Sequence, residues 1–114
     1  MSVEQIETVF TVSDPLRKRA SELVLGTWNR PSKSGNCNIT WINAKGSLNS
    51  CFLSDGGSIF CSCEAWAFKG KDASFELCKH LLQSMYFLIF MDETRFLNDV
   101  ISSYVLNVGS VKSE

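Results

Sequence analysis

The sequence predicts an α+β fold, a small three-stranded antiparallel sheet with flanking helices, and two observations carry that reading. Three short runs of strand character, residues 37–43, 48–53 and 58–63, are divided by the turn-forming segments Asn43-Ala44-Lys45-Gly46 and Ser54-Asp55-Gly56-Gly57. On either side of these runs the apolar residues recur at helical rather than alternating spacing. A chain of 114 residues with 45% hydrophobic and 20% charged residues is expected to form one domain, 1–114, with a modest core. Within it we distinguish a helical N-terminal part, 1–30, a central unit, 36–91, and a C-terminal helix, 94–106.

The N-terminal part opens with a short helix over residues 3–10, with Val3, Ile6 and Phe10 on one side. Ser13-Asp14-Pro15 marks a second helix start, because a capping side chain is followed by a proline whose missing N–H is harmless in the first turn. Leu16, Ala20, Leu23 and Val24 share a face of that helix, which is expected to run to Leu25 and to stop at Gly26 in a left-handed cap. Arg17-Lys18-Arg19 lies mostly off the apolar face and reads as a solvated surface. Residues 29–36 hold proline, glycine and polar side chains without periodicity and form a loop.

In the central unit Cys37, Ile39 and Trp41 alternate with Asn38 and Thr40, as a half-buried strand requires, and in the third run Ile59 shares a face with Cys61 and Cys63. Residues 63–68 carry alanines and aromatics that suit one helical turn, with Trp66 and Phe68 as a wall. From Leu77 the pattern is helical: Leu81, Leu82, Met85, Leu88 and Ile89 fall on one face. The opposite face, with Tyr86, Phe87 and Phe90, is also apolar, so this helix has to be covered on both sides. The run is too short to span a bilayer, which takes about 20 apolar residues. Asp92-Glu93-Thr94 then caps an amphipathic last helix whose apolar side holds Phe96, Leu97, Val100, Ile101, Tyr104 and Val105.

Cys61-Ser62-Cys63 and Cys78-Lys79-His80, separated by fourteen residues, read as two halves of a metal site. In a strand, residues two apart point to the same side, so a bend at the strand end can aim both sulfurs of the first pair at one ion. Inside a regular helix the second pair would point about 200° apart, so Cys78 and His80 must sit where a helix begins. There the first-turn amides and the helix dipole favour the thiolate, which is the ligand form. Three cysteines and the chain's single histidine make a closed tetrahedral set of the kind used for structural Zn2+, with no position left for a reacting water. The competing reading is a set of buried free cysteines, which are common in cores. Five cysteines in a chain whose start carries no secretory pattern argue against a disulfide scaffold, and Cys37 and Cys51 are expected as free, buried thiols in a reducing compartment.

The Cys-x-Cys and Cys-x-His pairs resemble the SWIM zinc finger. The likeness extends to Cys63-Glu64-Ala65-Trp66-Ala67-Phe68 ahead of Cys78-Lys79-His80-Leu81-Leu82, which is similar to the small SWIM subunit of Shu-type complexes. Glu64 stands where such relatives are expected to have a proline, which bears on the turn after Cys63 and not on ligation. The resemblance is firm over residues 61–82 and loose over the rest of the chain. It implies zinc held by Cys61, Cys63, Cys78 and His80, and a RecA-like recombinase paralogue as partner. It further implies single-stranded DNA reached through the complex, a nuclear location, and a role in recombinase filament assembly during homologous recombination repair.

Two other functions compete with that of an interaction subunit. A direct single-stranded nucleic-acid-binding zinc module would use Lys69, Lys71 and Lys79 with Trp66 or Phe68 as stacking platforms, although the net charge of -1 offers no general attraction to phosphate. An enzyme would need Cys61 and Cys63 as a redox dithiol, or a cysteine paired with His80, and the zinc set consumes all of them; no enzyme activity is expected. The chain has no glycine-rich loop ending in Gly-Lys-Ser or Gly-Lys-Thr, so ATP chemistry would belong to a partner. For the docking surface the sequence points to Phe87 and Phe90 on the helix that is apolar all round, with ordinary core as the competing reading.

Overall fold

A computed structural model describes residues 1–31, 33–69 and 77–112. The order of elements is α1 (Val3–Val9), α2 (Asp14–Ser21), β1 (Val24–Asn29), β2 (Asn36–Ile42), β3 (Leu48–Ser54), β4 (Ile59–Cys61), α3 (Glu64–Lys69), α4 (Lys79–Phe90) and α5 (Thr94–Lys112). The α+β class is as expected, but the antiparallel sheet has four strands, in the order β1-β2-β3-β4.

The extra strand replaces the end of the expected second helix. Ser13 caps α2 through its hydroxyl, which accepts the Leu16 N–H, and the helix closes at Ser21. Leu23 and Val24 fit the helical period of Leu16 and Ala20, yet residues 24–29 pair with β2 instead. Pairing gives the β2 edge partners for its backbone groups, and the Val, Thr and Trp of this stretch suit a strand. Gly26, expected as a helix cap, is the extra residue of a β-bulge between Leu25 and Thr27. A Cβ there would come within 2.9 Å of the Thr40 Oγ1, and that hydroxyl accepts the Thr27 N–H at 2.7 Å.

All the deeply buried side chains of the sheet lie on one face: Cys37, Ile39 and Trp41 of β2, Cys51 and Leu53 of β3, and Cys61 of β4. Against this face lies α4, whose Leu81, Leu82, Met85 and Leu88 are fully buried. The Trp41 indole N–H donates to the Ser84 hydroxyl at 2.7 Å, which donates to the His80 carbonyl at 2.8 Å, so the sheet is bonded to the first turns of α4. From the other side α2, α5 and α1 cover α4. Tyr86 donates to Glu7 Oε2, which also accepts from Arg17 Nε, each at 2.8 Å, and these bonds join α4, α1 and α2. The outer face of the sheet carries two cross-strand apolar rows, Val24-Ile42-Leu48 and Phe52-Phe60, on either side of a Thr27-Thr40-Ser50 row.

The last helix extends past Leu106, its expected end, to Lys112. It docks on the β3–β4 turn, where Ser103 donates to the Asp55 carbonyl at 2.9 Å and Asn107 to the Gly56 carbonyl at 3.3 Å. Gly57 sits there with φ +95°, and a Cβ would meet the α5 backbone at 2.7 Å. Gly57→Ala therefore meets strain and a backbone clash together. It is expected to cost about 1–3 kcal/mol in urea unfolding, whereas Gly46→Ala, at φ +83° with no atom nearby, meets the strain alone and should cost less.

Candidate metal centre

Cys61, Cys63, Cys78 and His80 come together as the spacing predicts: their ligand atoms all lie within 4.8 Å of one another. The group is close enough to hold one metal ion, and its donors are compatible with zinc. Cys61 is the last residue of β4, aimed inward by the alternation of the strand, and Cys63 follows in the bend that leads into α3. The strand is shorter than the expected 58–63, and this early end frees Cys63 to turn toward Cys61. Cys78 is the N-cap of α4 and His80 lies in its first turn, the placement required of two ligands two residues apart.

Both cysteines at helix starts are held alike. The Trp66 N–H donates to the Cys63 sulfur, and the Leu81 N–H to the Cys78 sulfur, each at 3.4 Å and three residues on. Such bonds stabilise a thiolate where a metal needs one. Trp66 is half-buried against the core, in keeping with its role as a wall; the side chain of Phe68 lies outside the described residues.

Electrostatics without a cation work against ionisation. The thiol of Cys61 is pushed up first by its hydrogen bond with Cys51, and that of Cys78 first by its hydrogen bond with Cys61 and then by burial. Burial raises Cys63. Three buried sulfurs in contact cannot all carry charge unless a positive ion joins them. His80 is held toward the neutral ring by burial and then by the Lys79 charge, and among the described residues neither ring nitrogen has a hydrogen-bond partner. A buried imidazole without a partner on either nitrogen is costly as it stands. A metal bond to one nitrogen removes part of that cost, so the donors fit the ion.

Alongside the site runs a cleft of about 850 Å³, lined in part by Arg19, Asn43, Asn49, Glu64 and Lys79. Of the lysines proposed to contact nucleic acid, Lys79 borders this cleft, whereas the Lys69 side chain and Lys71 lie outside the described residues. Cys37 and Cys51 are free and buried, as expected. Burial pushes the Cys37 thiol up to about 11. Cys51 is more than a core residue: it pairs across the sheet with Cys61, beside the ligand set. Strand spacing held that signal, since a hairpin turning at residues 54–58 places 51 opposite 61.

No protein-family model, curated protein or solved structure matches this chain.

Elemental analysis is expected to find one metal ion per chain, and replacing Cys61 and Cys78 together by Ala should abolish it; stoichiometric metal in that variant would overturn the ligand assignment. Metal binding displaces thiol protons, and here the metal-free thiols hold their protons more tightly than usual. Affinity should therefore fall as pH falls from 8 to 6. Below a pH of about 6.5 the His80 of the unfolded chain takes a proton that the fold resists, which weakens the folded state further. A competition titration over this range checks the sign.

Proposed function

We propose that this chain is a zinc-stapled interaction subunit, the small SWIM partner of a RecA-like recombinase paralogue in a Shu-type complex. On this reading it works in the nucleus, where the complex promotes recombinase filament assembly in homologous recombination repair. It contributes a docking surface and no catalysis. The observation that carries the reading is the convergence of Cys61, Cys63, Cys78 and His80 where the sheet meets α4. With that set occupied by zinc, the only histidine and three of the five cysteines are consumed, and the others are buried at Cys37 and Cys51. Among the described residues no helix is long and apolar enough to cross a membrane.

Phe87 and Phe90 separate into different roles. Phe87 meets the Trp28 and Trp41 rings edge to face, at 4.9 and 5.8 Å between centroids. Such pairs contribute about 0.5–1.5 kcal/mol each beyond the area buried, so Phe87 supports the fold. Phe90, at the last turn of α4, is 83% exposed. A large exposed aromatic at the end of a helix anchored to the metal site supports an interface anchor there.

Co-expression with RecA-like paralogues tests this. Phe90→Asp should abolish co-purification while the chain keeps its metal, and Phe87→Asp should lower metal content and solubility. If Phe90→Asp still co-purifies and Phe60→Asp does not, the docking face is the outer surface of the sheet. Steeply salt-dependent binding of single-stranded DNA by the isolated chain would favour the nucleic-acid-binding module instead. Structural zinc contributes apparent binding energy of about 10 kcal/mol, comparable to the whole stability of a small domain. Chelation is therefore expected to remove the near-UV circular dichroism of the tryptophans. A chelated sample with an unchanged spectrum and thermal midpoint would show that the site is not structural.

A further inference from the structure

Cys51 and Cys61 face each other across β3 and β4 on the inner side of the sheet, 0% and 1% exposed. One residue on, the Ser62 N–H donates to the Ser50 carbonyl at 3.0 Å. Residues 50 and 62 are thus a hydrogen-bonded pair, and 51 and 61 the closely spaced pair, whose Cα atoms lie about 4.5 Å apart in such ladders. The Cys51 and Cys61 side chains therefore lie side by side on the inner face of the ladder. Cys51 is nevertheless outside the group whose ligand atoms converge on one point.

The three ligand sulfurs differ in what surrounds them. Cys63 accepts the Trp66 N–H and Cys78 the Leu81 N–H. Cys63 and Cys78 also border the open cleft, and Cys61 does not. When an ion is bound, charge left on the Cys61 sulfur is beyond the reach of water and has to be met by donors of the protein. The S–H of Cys51 is placed to supply one.

We propose that Cys51 is a positioning residue of the metal centre, donating its S–H to the metal-bound Cys61 sulfur while remaining outside the coordination sphere. The proposal rests on the zinc reading above, and its test begins with protein shown to bind one metal ion, so that failure of metal binding and failure of the Cys51 role are distinguishable. Three variants are compared: Cys51→Ser keeps a donor, Cys51→Ala loses it, and Cys51→Val loses it with little loss of volume. Zinc affinity is measured by competition with a chromophoric chelator. The cobalt-substituted proteins report the number of thiolate ligands through their charge-transfer absorption. The Ala and Val variants should bind zinc roughly 10–100-fold more weakly, Ser within a few-fold of the native chain, and all should keep three-thiolate absorption. Equal affinities across the variants, or equal losses in Ser and Ala, would overturn the proposal, as would absorption that falls by one thiolate when Cys51 is replaced. Should the donor-free variants not fold, zinc-loaded Cys37→Ser decides it. There Cys51 carries the remaining S–H, whose infrared stretch should lie below that of a free thiol; an unshifted or absent band would refute the role.

Discussion

Three sulfurs and an imidazole, packed within 4.8 Å of one another and almost cut off from water, are the arrangement on which the rest of this structure depends. Without a cation the thiols resist ionisation, and among the described residues the imidazole has a bond to neither nitrogen. With one, the same atoms become a closed coordination set. The four side chains come from the end of β4, the bend before α3 and the start of α4, so an ion held by them would also fix how three elements meet. Polar groups reinforce that junction from within, through the Trp41, Ser84 and His80 chain of hydrogen bonds, and the backbone amides of Trp66 and Leu81 reinforce it at the helix starts.

Around this junction the packing is layered. The sheet covers one side of α4 and the three remaining long or capped helices cover the other, which is how an helix without a polar face is kept from water. The covering stops at Phe90. It also leaves the outer face of the sheet open, where apolar rows flank a stripe of hydroxyls. Apolar groups left outside the core in this way are what the proposed docking role draws on.

Much of the candidate metal centre was legible in the sequence because its constraints are local. Ligands two residues apart fit one ion only at a strand end or a helix start, and both halves obey that rule. The strands β2 and β3 were legible because alternation and turn residues agree, and the start of α2 because Ser13 and Pro15 each have a local reason to be there. Residues 24–29 were not, because Leu23 and Val24 continue a helical period and Gly26 is as good a helix stop as a bulge residue. What decides between the two is the open edge of β2, a partner that no local window contains.

The sequence by itself determined the grouping of Cys61, Cys63, Cys78 and His80, the α+β class and the apolar character of α4, since spacing, capping and periodicity act over a few residues. Tertiary structure alone decided the fourth strand and the separation of Phe87 from Phe90. Phe87 is held by two tryptophans from other strands, while Phe90, three residues on, has turned past the edge of the covering layers. Each of these outcomes depends on which surfaces meet across the fold. That is set by the joint packing of distant elements, which the order of residues constrains only through the whole.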